Sequence, residues 1–545
     1  MTKTRTTDYL VIGAGSAGSA VAARLAEDEN TTVTLLEAGP TDRHPYIMMP
    51  AAMGYNLVSD RRNWFYRTQP EPHLDNRTVM QARGRVLGGS SSINGMNWVR
   101  GNPLDYDEWA NMGLKSWGYE SVLPYFKRAE TFDRGGNDYR GDSGPMRVQS
   151  CAGKNPLYET FLEAGQEMGL PYLDDHNAYR QEGVFHGQRN VHDGIRWNTY
   201  QGFVRSQAAK PNLTVEKNAR VLKIETSNKR VVRIQAKIDG IRQTFEVEKE
   251  TILCAGALNS PQLLNLSGIG HADDLKAADI PLTHHLPGVG RNLQDHLSID
   301  IQYHTTKNVS IAHDLNLLGQ AKAGLQWLLF KKGIGVSNFF EVGAFIRTRE
   351  SEKIANMQVE FIPMMAEFTD DNFAALPGFQ GYLTLQRPGS RGRVWVDSAD
   401  PMASPKFRFN YYEDPDDLEQ ALEMVKTMRT LIKQSAWDEL RGAEVMPGPD
   451  VQTDDEIRAW LRTITATNYH PCGTCRMGHD DDAVVDEEGR VHGLEALRVV
   501  DASIMPKIVT GNLNCPTIMM AEKISDSIRG RAPLPPEPQP YYTAH

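Results

Sequence analysis

The stretch richest in chemistry is Asn468-Tyr469-His470-Pro471-Cys472-Gly473-Thr474-Cys475-Arg476. Two readings compete there. Pro-Cys-x-x-Cys is half of a zinc deaminase signature, but the matching His-x-Glu is absent upstream. No second Cys-x-x-Cys exists to complete a four-thiolate site, so no metal is expected. The other reading makes His470 a general base. An imidazole titrates near neutrality and can take a proton from a hydroxyl, and Pro471 restrains its backbone. Further along lies Gly511-Asn512-Leu513-Asn514, which leads into a long apolar helix pattern.

The second chemical signal is Asp8 to Gly39. An apolar strand runs into Gly13-Ala14-Gly15-Ser16-Ala17-Gly18, a helix follows, and a second strand ends at Glu37-Ala38. Gly13 permits the turn, Gly15 lets backbone N–H groups approach a pyrophosphate, and Gly18 lets helix and strand pack closely. The helix N-terminus favours the negative charge. A carboxylate at Glu37 suits ribose hydroxyls and repels a 2′-phosphate, so an unphosphorylated adenine dinucleotide is expected. Its place at the start of the chain favours FAD over NAD.

Other candidates are weaker alone. Gly84 to Gly95 holds Gly88-Gly89-Ser90-Ser91-Ser92, small residues suited to backbone lying against a flat ring, or to a helix cap. Trp64 sits in an irregular covering segment, as core or pocket wall. His296, after the glycine-rich loop Pro287–Gly290, reads as structural. Glu341 is an acid among apolar residues.

The totals set limits. With 545 residues the chain exceeds one core and needs two or three domains. A net charge of −10 disfavours nucleic acid and suits a cationic substrate. Five scattered cysteines make a poor disulfide framework and suit a reducing, cytoplasmic setting. The N-terminus reads directly into the first strand, with no signal peptide, and no apolar run is long enough to span a bilayer. The pattern Leu325–Lys332 suggests an amphipathic helix packed on its domain; a peripheral membrane contact is the alternative. Residues 300–445 carry short strand-like runs and read as a mostly antiparallel second domain. The Pro-rich residues 532–545 are expected to be disordered.

Two long motifs then resemble the glucose–methanol–choline oxidoreductase family. They are Gly84–Asn94 with Arg100-Gly101, and Gly256–Gly270. The resemblance spans about Asp8 to Arg529. The stretches His470–Gly478, Asn338–Arg347 and Val500–Asn514 lie closest to its choline-oxidising branch. It implies an α/β fold, an FAD-binding doubly wound (Rossmann-like) domain interleaved with a substrate domain. The first would take residues 1–155, 206–300 and 462–531, and the second 156–205 and 301–461. Cofactor contacts would come from Gly13, Gly15, Ser16, Ala17, Gly18, Glu37, Ala38, Arg85, Gly88, Gly89, Ser90, Asn94, Gly95, Val221, Asp501 and Asn514. His470 would be the base and Asn514 its partner. Trp64, Glu341 and Tyr469 would surround an ammonium group. The implied reaction is oxidation of a primary alcohol, choline or a broader alcohol, by hydride transfer to flavin N5. A quinone, an electron carrier or oxygen would be the acceptor. Ile93 stands where some relatives attach FAD through a His, so the flavin is expected to be non-covalent.

Overall fold

The computed structural model of the chain describes residues 3–368 and 373–544. Its framework is two sheets. The first runs in the order Leu213–Glu216, Val33–Leu36, Lys3–Ile12, Ile241–Leu253, Arg230–Ile238, Ala219–Ser227, and Leu497–Val499 also pairs with Ile241–Leu253. Pairing is parallel around Lys3–Ile12 and antiparallel in the meander from Ala219 to Leu253. The central strands are continuous apolar runs because both faces are covered. Leu10, Val11, Leu35, Ile252 and Leu253 share one core with the helices Ser16–Leu25 and Asn514–Ile528.

The second sheet has eight strands. Its order is Arg441–Met446, Leu297–Thr305, Phe379–Leu385, Met357–Ile362, Val342–Ile346, Gly183–His186, Tyr172–Leu173, with Ala466–Thr467 added beside Leu297–Thr305. All of it is antiparallel except the Tyr172–Leu173 edge. Leu297–Thr305 crosses the boundary expected at 300, and Ala466–Thr467 lies beyond that at 462.

Strand alternation gives this sheet two different faces. Ile299, Ile301, Val359, Phe361 and Leu383 pack with Phe161, Leu422, Val425 and Met428 of the helices Pro156–Glu167 and Pro415–Ile432. The intervening residues form rows across the strands: Ser298–Thr384–Gln358, Asp300–Tyr382–Glu360 and Gln302–Gln380–Ile362. That largely polar face roofs a cavity above the first sheet.

Two expectations are corrected. The Leu317–Phe330 helix buries only Ala323 and Trp327, while Leu317, Leu318, Leu325, Leu328, Leu329 and Phe330 are 58–85% exposed. Its apolar residues spread wider than the stripe one contact can cover. Among the described residues no helix is long and apolar enough to cross a membrane.

The tail is ordered instead of disordered, packed on residues between Asp107 and Tyr179. Leu534 N–H donates to the Tyr125 hydroxyl (2.9 Å), Glu537 N–H to Glu120 O (2.9 Å) and Tyr542 N–H to Tyr179 O (2.8 Å). Tyr541 meets Tyr119 edge-on and donates to Asp107. Aromatic partners outweigh the Pro-rich composition; His545 lies outside the described residues.

Glu130 anchors the segment that follows the Gly84–Asn94 motif. It is fully buried and accepts hydrogen bonds at 2.7 Å from Arg100, Arg140 and the Trp98 indole. Burial raises its carboxyl pKa, and the two guanidinium groups outweigh this and hold it low. Glu130→Ala removes the carboxylate from buried Arg100 and leaves buried Arg140 with Asp175 alone, so urea unfolding of the holoprotein is expected to lose about 3–5 kcal/mol. A loss under about 1 kcal/mol contradicts this role.

Candidate active site

The glycine turn forms the floor. Gly13 has φ +101°, and a Cβ there would stand 2.5 Å from Cys254 O. Only glycine lets the first strand turn this close to its neighbour. Glu37 is buried, accepting from Ala14 N–H (3.1 Å) and Gly39 N–H (2.8 Å), and burial lifts its carboxyl pKa to about 7. The second glycine segment meets the first: a Cβ on Gly89 would come 2.6 Å from Gly15 Cα. The Ser91 and Ser92 hydroxyls donate back to Gly88 O and Leu87 O, closing this turn. Ser90 and Ile93 face the cavity.

One continuous cavity of about 760 Å³ runs from Gly13, Gly15 and Glu37 to Glu360 and His470. Of the expected residues, Ser16, Ala17, Ala38, Trp64, Gly89, Ser90, Asn94, Gly95, Val221, Tyr469, Asp501 and Asn514 also line it. Gly18, Gly88 and Arg85 do not. Gly18 packs on Gly13, Gly88 on Ser92 and Asn198, and Arg85 lies over the Trp64 ring.

An adenine dinucleotide fits the donor set. The Asn514 amide nitrogen is buried without a partner, its oxygen already accepting from Ser16 Oγ (2.7 Å). Gly256 opens on the same space, with nothing within 4 Å of an added Cβ. The cavity continues from the glycine turn to His470, so a dinucleotide at the turn leaves the His470 end to a small substrate.

At that end His470 is fixed by its neighbours. Its backbone N–H donates to Asp295 Oδ1 (2.7 Å), while Thr467 and Tyr411 hydroxyls hold the other oxygen of that carboxylate. Tyr469, just before it, takes φ +62°, and its carbonyl accepts from Arg83 (2.7 Å). His470 Nδ1 lies 3.0 Å from His296 Nδ1, and His296 Nε2 lies 3.0 Å from Gln386 O. A carbonyl only accepts, so His296 Nε2 carries its proton. Burial keeps both rings neutral, lowering His296 to about 3 and His470 well below 6.5, with His296 and Arg83 adding to the latter. His296 Nδ1 is therefore the acceptor and His470 Nδ1 the donor. This leaves a lone pair on His470 Nε2. Asn512 Nδ2 faces that nitrogen at 3.3 Å, oriented by Gln358, which donates to the Asn512 oxygen (3.2 Å).

Several expectations are revised. Asn512, not Asn514, touches the base; Asn514 sits at the glycine turn with Ser16. Glu341 lies off the cavity, spent on Arg189 (3.0 Å), Ser337 (2.6 Å) and Gly153 N–H (2.9 Å). Trp64 lines the cavity, but Arg220 and Arg85 stand 5.0 and 5.4 Å from its ring and Tyr66 stacks on it. Two resident cations leave little attraction for a third. His296, read as structural, orients the base.

Three further residues were missed. Glu360 lines the cavity beside Asn512. Buried Arg196 ties Ser91 O, Asn94 O and Ile47 O together. Asp295 sits next to His296 after the glycine-rich loop, a cue in the sequence. Cys472 and Cys475 are fully buried thiols whose pKa values rise with burial. Among the described residues no His, Cys, Asp or Glu group could hold a metal.

Comparison with known proteins agrees with this geometry. GMC oxidoreductase family models match residues 7–298 and 388–521. Oxygen-dependent choline dehydrogenase 1 of Chromohalobacter salexigens is 47% identical, covering 100% of this chain and 99% of its own. The oxygen-dependent choline dehydrogenase of Paraburkholderia xenovorans is also 47% identical, over 99% of this chain and 97% of its own. Pyridoxine 4-oxidase from Mesorbium loti superposes with TM-score 0.87 at 30% identity, over 96% of this chain and 100% of its own. A formate oxidase of Aspergillus oryzae gives 0.89 at 25%, over 96% and 98%. With its glycine-turn floor, polar roof and buried histidine pair, this chain belongs to the GMC oxidoreductase family.

Proposed function

We propose that this enzyme oxidises choline to betaine aldehyde with non-covalent FAD and passes the electrons to oxygen. The observation that carries the chemistry is the unprotonated His470 Nε2 facing the cavity, its other nitrogen committed to His296. The choice of choline and oxygen is supported by the names of the relatives at 47% identity.

The FAD would be held by the Gly13–Gly18 turn, Glu37, Ser90, Asn94 and Asn514. When bound, FAD supplies the acceptor for the hydride that leaves the carbinol carbon. His470 Nε2 takes the hydroxyl proton, which makes that departure feasible. The charge gained by the imidazole is shared along the His296–Gln386 hydrogen bonds. The Asn512 N–H that faces His470 Nε2 turns to the substrate oxygen as it becomes alkoxide-like, without competing as a base. The polar sheet face and Tyr469 close the site over the reacting carbon.

Anaerobic choline is expected to bleach the visible flavin absorbance of the purified protein. His470→Ala should slow that reduction at least about a hundredfold, and Asn512→Ala less, since a hydrogen bond and not a proton acceptor is lost. Wild-type reduction rates in His470→Ala would refute the assignment. Acid denaturation should release the FAD, because Ile93 offers no attachment. Flavin that stays with the precipitated chain would contradict that.

A further inference from the structure

We infer that Glu360 forms a binding subsite for a quaternary ammonium group, placed one amide away from the catalytic histidine. The inference rests on the alcohol-oxidising reading and adds how the substrate's charge is recognised.

Glu360 is 6% exposed and lines the cavity. Its carboxylate accepts from Asn97 Nδ2 and from Asn512 Nδ2 (3.3 Å), with Asn468 a third amide neighbour. The donors cannot swap ends. Asn338 Nδ2 donates to the Asn97 oxygen (2.9 Å), which turns the Asn97 amide nitrogen to Glu360. Gln358 fixes Asn512 in the same sense. Three neutral donors thus aim at one buried carboxyl; burial raises its pKa and the amides offset only part of that rise, which leaves an arriving cation to stabilise the charged form.

What the site lacks is a cation. Among the described residues the close polar partners of Glu360 are amides, and no lysine or arginine is paired with it. Glu130 and Glu341 are paired with arginines, and Glu37 and Asp295 with backbone N–H or hydroxyl donors; Glu360 has neither, only side-chain amides, and faces the His470 end of the cavity. A buried carboxylate without a counter-ion, on a substrate cavity, matches a ligand that brings its own positive charge.

The surroundings narrow the class. A quaternary ammonium donates no hydrogen bonds, so it needs a charge and apolar or aromatic walls, not acceptor lone pairs. Tyr382 is the cross-strand partner of Glu360 on the same face, and Phe340 and Tyr469 line the same cavity. Asp300 follows in the row, held by Gln380 (2.7 Å), and adds a second acid to this end. Asn512 Nδ2 reaches both the carboxylate and His470 Nε2, each at 3.3 Å. An ethanolamine skeleton is short enough to set its nitrogen by Glu360 while its hydroxyl meets the base.

The test compares choline with its uncharged isostere 3,3-dimethyl-1-butanol in wild type, Glu360→Gln, Glu360→Asp and Glu341→Gln holoenzymes. It also measures tetramethylammonium binding through the flavin spectrum. Wild type is expected to favour choline by roughly tenfold or more in kcat/KM. Glu360→Gln should lose most of that preference, because KM rises much more for choline than for the isostere. Glu360→Asp should keep part of it and Glu341→Gln all of it. Tetramethylammonium should bind wild type at least about tenfold tighter than Glu360→Gln. Equal losses on both alcohols in Glu360→Gln would make Glu360 only a positioning residue for Asn512 and overturn the subsite. So would unchanged tetramethylammonium binding. If neither alcohol reduces wild-type flavin while the tetramethylammonium difference holds, the proposed reaction fails and the subsite stands.

Discussion

The hydrogen bond between His296 and His470 is the constraint on which the site turns. Two imidazoles in contact inside a protein are ordinarily an electrostatic liability, since each disfavours the charged form of the other. Here that effect is put to use. Burial keeps both neutral, and the Gln386 carbonyl fixes which nitrogen of His296 carries a proton. One fixed proton sets the next, and the lone pair that results lies on the cavity side, toward Asn512. A single isolated histidine in that position could adopt either tautomer and would serve as a base for only part of the time.

Holding the pair falls to two neighbouring strands of the second sheet. His296 opens a strand of the second sheet, whereas His470 follows the short Ala466–Thr467 strand on the edge of the same sheet. The carboxylate of Asp295 joins them through the His470 backbone. The sheet can carry so polar a face because its other face is apolar and packed on two helices. Buried amides in rows then satisfy one another, as with Gln302 and Gln380 (2.9 Å), so the roof need not be greasy to be stable.

Local chemistry was legible in the sequence, and pairing over distance was not. The Gly13–Glu37 element could be read because each glycine and the acid answer to a local backbone demand, and the structure places Gly13, Gly15 and Glu37 on the cavity. His470 stood out through its motif. His296 looked like an ordinary loop histidine, because its role depends on a contact across 174 positions. Glu341 and Glu360 show the same limit. Both are acids beside apolar strand residues, and only the fold reveals that Arg189 meets the first and amides the second. The Asn512–Asn514 pair is subtler, since two residues on a helix entry point to different ends of one cavity. The tail and the Leu317–Phe330 helix went the other way from composition: available partners, not residue type, decided which packed.

The claim that His470 is held neutral by burial and by His296 has a direct test. The anaerobic rate of flavin reduction by saturating choline would be followed from about pH 5 to about pH 9. A base must be unprotonated to act, and a lowered pKa confines protonation to more acid solution. The account predicts a rate that holds steady through pH 6.5 and falls only below it. A rate that halves at or above pH 6.5 would mean an ordinary, solvated histidine and would contradict the account.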